Sequence, residues 1–340
     1  MVLKAANAPF VLEDLPDPTP GPGEAVARVF ACGSGLTIQH VKAGRTPVQF
    51  PRVIGHEICG EIVEIGPGVS NVTIGDPVTA YYYLNCGHCR WCLDNREPLC
   101  EHLAGNVGRQ TDGGYAEYIK LPAGNFIKLP EGLDHKRYPA EIGVIADAIA
   151  TPYKVLHRAR IKAGETVAVF GAGGGVGIHM VMLARWARTR VIAIDIVPAK
   201  FEACRAAGAD ATIDASREDV VEALLELTHG TGVDAAVDFV SASATLEAGA
   251  RALGRGGRLV TLGGAGQEFQ ASSRAMLEKE QDLLGSRYVT RREVLDSLEL
   301  VARGDFWPMV TEVCPLEEAE VLHERIENGL VTGRAALVID

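Results

Sequence analysis

The sequence predicts an α/β chain in which a β-rich, barrel-like domain is interrupted by a domain built on a doubly wound parallel sheet. Three observations carry this expectation. Up to about residue 150, short apolar runs are broken by Gly and Pro; from about 153, strand-like and helix-like stretches alternate; near 288 a mixed texture returns. The length of 340 residues agrees, because single cores rarely grow beyond about 250–300 residues.

In chain order, the apolar runs Ala25–Phe30, Ile58–Ile65, Pro77–Tyr83 and Tyr115–Leu121 read as strands bounded by turns. The second part offers strands at Thr166–Phe170, Arg190–Asp195, Ala235–Val240 and Arg258–Leu262, separated by helical stretches, which implies a parallel sheet with crossover helices. The terminal run Ala335–Ile339 also reads as a strand, and its return to the first domain would make that domain discontinuous. The expected boundaries are 1–151 with 289–340 for the β-rich domain and 152–288 for the parallel one. The sequence contains no internal repeat and no low-complexity segment.

With 47% hydrophobic and 23% charged residues, the composition is that of a globular protein. A formal net charge of −11 argues against nucleic acid or an anionic membrane as partner, since both call for a basic patch. No stretch has the length of a membrane span or a signal-peptide core, so a cytoplasmic protein acting on a small molecule is expected.

Cys86, Cys89, Cys92 and Cys100 form a C-x2-C-x2-C-x7-C ladder. Four thiolates so close in sequence can close a tetrahedron around one zinc ion and leave no position for water, which is a structural rather than a catalytic arrangement. Disulfides are the alternative, disfavoured because no secretory segment accompanies the ladder. The lobe should span about residues 84–102, and the scattered Cys32, Cys59, Cys204 and Cys314 read as reduced thiols.

The strand Thr166–Phe170 runs into Gly171-Ala-Gly173-Gly174-Gly175-Val176-Gly177 and then into an apolar-faced helix from about Ile178 to Ala187. Glycines there permit a tight turn and let the backbone approach a pyrophosphate, which the free N–H groups of the helix start would receive. Eighteen residues beyond Gly177, Asp195 ends the second strand, placed to accept from both hydroxyls of an adenosine ribose. A carboxylate there repels a 2′-phosphate, so NAD(H) is expected rather than NADP(H). A FAD or S-adenosylmethionine fold is the rival reading of the glycines alone.

Together these features make the chain resemble the zinc-containing medium-chain alcohol dehydrogenase family along nearly its whole length. Gly55-His56-Glu57, Asp112-Gly-Gly-Tyr-Ala-Glu-Tyr118, Thr151-Pro-Tyr-Lys-Val-Leu156, Leu253-Gly-Arg-Gly-Gly-Arg-Leu-Val260 and Gly333-Arg334 look like family stretches. The resemblance implies a GroES-like catalytic domain holding a Rossmann domain as an insertion, and a homodimer or homotetramer. It also implies that Arg334 contacts the pyrophosphate, that Val240 and Ser241 line the nicotinamide side, and that Lys200 belongs to the cofactor set.

The resemblance further implies a second, catalytic zinc held by a cysteine, the Gly-His-Glu histidine and a third ligand before the cofactor domain. Here Ala31-Cys32-Gly33-Ser34-Gly35-Leu36-Thr37-Ile38-Gln39-His40 puts Gly35 where the liganding cysteine belongs and Ile38 where an aspartate steadies the histidine; the third position falls on Asp147. What remains is His56, Asp147 and Glu57. Either these three hold a zinc or the site works without one, and the second is the expectation, because a catalytic zinc wants three firm ligands and a supporting shell. Thr37 and His40 match the family's proton relay, with His56 as the other proton donor.

The implied activity is NAD(H)-dependent hydride transfer between the nicotinamide and an alcohol or carbonyl substrate. The alternatives are a zinc-independent reductase of conjugated C=C or iminium substrates and, in last place, a cofactor-binding structural or regulatory protein without turnover. Tyr82, Asn106 and Tyr288 are the pocket residues the resemblance suggests.

Overall fold

The computed structural model describes residues 1–263 and 267–340. The chain divides into two compact units, Met1–Ala150 with Thr290–Asp340, and Thr151–Val289. No helix among the described residues is long and apolar enough to cross a membrane.

The first unit is built on a seven-stranded sheet, in the order Val310–Pro315, Arg334–Val338, Glu24–Ser34, Glu57–Ile65, Pro77–Ala80, Phe126–Lys128, with Tyr118–Pro122 also paired to Glu24–Ser34. The long Glu24–Ser34 strand organises it, pairing antiparallel with three neighbours. Its inward residues Ala25, Ala27, Val29 and Cys32 join Ile58, Ile62, Val78, Tyr115 and Leu337 in one apolar core. The register sets Ser34 opposite Ala335 and Gly33 opposite both Ala336 and Glu57. The strand ends therefore bring Gly35, Glu57 and Arg334 to one place.

Two expected strands are shorter than their apolar runs. The Pro77 strand stops at Ala80, one rung before the Tyr81 N–H donates to the Asn125 carbonyl at 2.7 Å, where the partner strand gives way to the turn Ala123–Asn125, and Tyr83–Leu84 pairs separately with Gly105–Asn106. The Tyr115 run becomes strand only at Tyr118, since the Tyr115 N–H bonds the Ile54 carbonyl at 3.0 Å. The terminal strand, Arg334–Val338, lies beside Glu24–Ser34.

In the second unit a six-stranded all-parallel sheet runs Ala211–Asp214, Arg190–Asp195, Thr166–Phe170, Val233–Asp238, Leu253–Thr261, Asp282–Gly285. The order reverses between Thr166–Phe170 and Val233–Asp238, which creates the crevice where doubly wound sheets bind ligands. The fourth strand starts at Val233 and ends at Asp238, earlier than its apolar run suggests, and the fifth starts at Leu253 with a register shift between Val233 and Ala235. Phe170, Ile192, Ile194, Leu246 and Leu259 bury together in this unit's core.

Candidate functional site

In the cysteine lobe all four thiols converge. Cys89 Sγ lies 3.6 Å from Cys92 Sγ and 3.9 Å from Cys100 Sγ, and Cys86 Sγ lies 3.9 Å from Cys92 Sγ. A zinc tetrahedron with bonds near 2.3 Å has sulfur–sulfur edges of about 3.8 Å. Backbone N–H groups of Cys86 and Cys89 point at Cys100 Sγ and Cys86 Sγ, at 3.4 and 3.3 Å, as donors that favour thiolate. These residues fit one structural zinc ion. The other four cysteines are free thiols, and burial pushes Cys32 and Cys59 well above the ordinary thiol range.

In the parallel unit the glycine turn and Asp195 are in contact. Gly171 has φ +71°, open to glycine at little cost, and the helix Gly177–Trp186 starts directly after the turn. Asp195 Oδ2 accepts the Gly173 N–H at 2.9 Å, and Oδ1 accepts that of Val197 at 3.1 Å. Each carboxylate oxygen keeps a lone pair for a ribose hydroxyl. The stem of Lys200 lies across the turn, 2.6 Å from where a Cβ on Gly173 would stand. The crevice therefore fits a dinucleotide at Gly171, Gly173, Gly174, Gly175, Val176 and Gly177.

Asp238, which the sequence reading passed over, builds the opposite lip. Its Oδ1 accepts the N–H groups of Val240 and Ser241 at 2.8 and 2.9 Å, its Oδ2 accepts the Thr245 hydroxyl at 2.7 Å, and burial raises its carboxyl pKa. Ser241, at φ +54°, bonds Thr261 Oγ1 at 2.8 Å, while Val240 stands exposed. An acidic residue closing the fourth strand was the available signal.

The β-rich unit gathers the remaining residues. Gly55 precedes His56 because a Cβ there would lie 2.5 Å from the Tyr115 ring and 2.8 Å from Cys32 Sγ. This packing also fixes Cys32 inside the core. His56 Nε2 lies 3.3 Å from Asp147 Oδ2, on a π-helical turn, Ile145–Ile149, whose widened backbone turns that carboxylate inward. His56 and Asp147 are 3% and 4% exposed, and Glu57 is fully buried.

Arg334 completes the cluster. Its guanidinium is buried, pairs with Glu57 through Nη2 to Oε1 and through Nε to Oε2 at 3.0 Å, and has Nη2 3.6 Å from Asp147 Oδ2. The resemblance assigns Arg334 to a pyrophosphate, and in this structure its Nε and Nη2 face the two carboxylates. Room for it comes from missing side chains. A Cβ on Gly35 would stand 1.9 Å from Arg334 Nη1, and one on Gly33 would stand 2.2 Å from Glu57 Oε2.

The donor atoms of His56, Glu57 and Asp147 lie within 4.8 Å of one another, near enough for one ion. Yet the chemistry of the set does not fit the catalytic zinc the resemblance implies. Both Glu57 oxygens and one Asp147 oxygen face a guanidinium, and Gly35 offers no donor where a thiolate belongs.

The relay residues occupy the helix Leu36–Lys42. Exposed Thr37 lines a small pocket with Ile38, Ile54, His56, Tyr82 and Arg109. His40 does not line it: its Nδ1 accepts from Arg45 Nε at 2.7 Å, and Arg45 is paired to Glu327. Burial first, and then Arg45, hold the His40 pKa below its ordinary value, with Glu327 opposing. The His40 Nδ1 is thus engaged by Arg45 as an acceptor, and the expected relay from Thr37 to His40 has no direct contact in this structure. Tyr82, whose ring centre lies 4.5 Å from that of His56, is oriented by Arg109 Nη1 at 3.2 Å. Buried Asn106 donates its backbone N–H to Gln110 Oε1 at 2.9 Å, and Tyr288, at φ +45°, belongs to the other unit.

Comparison with known proteins agrees with both units. The alcohol dehydrogenase GroES-like domain matches residues 21–131 and the zinc-binding dehydrogenase domain matches 175–303. The chain is 34% identical to an alcohol dehydrogenase of Geobacillus stearothermophilus, over 93% of this chain and 91% of that protein. It is 29% identical to an NAD-dependent alcohol dehydrogenase of Sulfurisphaera tokodaii, with 99% of both covered. The crystal structure of the alcohol dehydrogenase from Aeropyrum pernix superposes with a TM-score of 0.90 at 32% identity, covering 99% of this chain and 98% of that one.

Proposed function

Because the chain belongs to the zinc-type medium-chain dehydrogenase/reductase family, we propose that it interconverts an alcohol and its carbonyl compound by NAD(H)-dependent hydride transfer. The observation that carries this reading is a hydroxyl, Thr37, and a histidine paired to a carboxylate, His56 with Asp147, meeting at one pocket. The NAD(H) preference rests on Asp195 beside the glycine turn, and the names of relatives support it.

Bound NADH would supply the hydride. The chain supplies the rest. As hydride reaches the carbonyl carbon, the C=O π pair moves to oxygen, and a proton from the His56 imidazole, given directly or through the Thr37 hydroxyl, which is reprotonated as it donates, completes the alcohol. Asp147 accepts from His56 Nε2 and so fixes the ring, which leaves the imidazole able to pass the proton on. Tyr82 and Ile54 keep that transfer in an apolar wall where hydrogen-bond donors act more strongly.

The second reading is reduction of a conjugated C=C or iminium, for which the support is Gly35, which offers no thiolate to hold a metal ion at the developing oxyanion. Following NADH oxidation with simple ketones and with enones separates the two. Turnover of ketones supports the first; turnover of enones alone overturns it. Homodimeric or homotetrameric assembly belongs to the same proposal and is read by light scattering.

A further inference from the structure

The geometry points to Arg334 as a built-in replacement for the catalytic metal ion, a guanidinium seated in the volume Gly35 leaves open and bound to the carboxylates that would otherwise be metal ligands. The sheet register explains the seat. Ser34 pairs with Ala335, so Gly35 and Arg334 are the next residues outward on neighbouring strands. A Cβ at position 35 would stand 1.9 Å from Nη1 and 2.4 Å from Cζ, so a cysteine there and this arginine conformation exclude each other.

The charges then divide cleanly. Glu57 takes the guanidinium on both its oxygens, while Asp147 shares one oxygen between Arg334 and His56 Nε2. A divalent ion placed among the three donors would meet a fixed positive charge, and its carboxylate ligands are already engaged. Arg334 is therefore a positioning residue, which holds Asp147 toward His56 so that the imidazole serves as the acid and base of the pocket.

The role assigned to His56 rests on the proposed oxidoreductase reading; the test does not, because metal is counted without substrate or cofactor. Elemental analysis of protein purified without chelator should give about one zinc per chain, the Cys86, Cys89, Cys92 and Cys100 ion. Gly35→Cys alone should gain none, whereas Gly35→Cys with Arg334→Ala should gain a second equivalent that is lost again on His56→Ala. Cobalt substitution would show the new thiolate ligand as a charge-transfer band in the double variant only. Retention of the structural zinc and the far-ultraviolet circular dichroism report folding. A wild-type chain with two zinc ions, one of them lost on His56→Ala, overturns the proposal. So does a folded double variant that gains none. If the double variant does not fold, the wild-type count alone decides.

Discussion

Replacing Arg334 with alanine should destabilise the β-rich unit in a manner that depends on pH. The substitution strands two carboxylates, Glu57 with no exposure and Asp147 with 4%. Removing one partner of a buried ion pair costs about 3–5 kcal/mol, because the remaining charge is left uncompensated. At about 2–4 °C per kcal/mol for a unit of this size, its Tm should fall by about 6–20 °C. The stranded Glu57 carboxyl then has a folded-state pKa raised above its unfolded value near 4.3. A raised folded pKa means that stability is fullest below the unfolded value and is lost as pH rises toward the folded one. The deficit should therefore grow by up to about 1.4 kcal/mol per pH unit on going from pH 5 toward pH 8. Calorimetry of wild type and variant across that range measures it. A variant as stable as the wild type, or a deficit independent of pH, would refute the assignment of Arg334 as the buried counter-charge.

Burial lowers the pKa of His323 to about 3 and that of His179 to about 4, so each should contribute stability that is complete above about 6.5 and lost as pH falls toward those values; His323→Gln should flatten the acid limb of the β-rich unit. Asp195→Ala removes charge-assisted acceptors worth about 1.5–3 kcal/mol, so NADH affinity measured by fluorescence titration should drop by about 10–150-fold and the preference over NADPH should shrink. His56→Gln should lower kcat by about 100–10,000-fold, the usual worth of a general acid, with NADH binding unchanged. Cys92→Ser should release the structural zinc, read as loss of metal by elemental analysis and faster proteolysis within residues 84–102.

The parallel unit was legible because its signals are local. A strand, a glycine turn and a helix in sequence leave one topology open, and Asp195 lies where the second strand ends in both sequence and structure. The cysteine ladder is local too. Arg334 was not legible: its place depends on antiparallel pairing between strands some three hundred residues apart in sequence, Glu24–Ser34 with Arg334–Val338. The absence of a cysteine at Gly35 was visible from the motif, but the arginine that fills its space was not. The same holds for His40, because Arg45 and Glu327 reach its neighbourhood from a loop and a distant helix. One strand start was hidden because the buried Tyr115 takes its backbone N–H out of the ladder to the Ile54 carbonyl.

The account stands on hydride transfer by this chain. NADH deuterated at the transferable position, incubated with protein and a ketone that the screen identifies, should yield an alcohol carrying deuterium on the former carbonyl carbon, and protein pre-dialysed against a chelator that spares the cysteine-bound zinc should do so at the same rate. An alcohol without deuterium would contradict hydride transfer, and activity that vanishes on dialysis and returns only with added zinc would contradict the metal-free centre built on Arg334, His56 and Asp147.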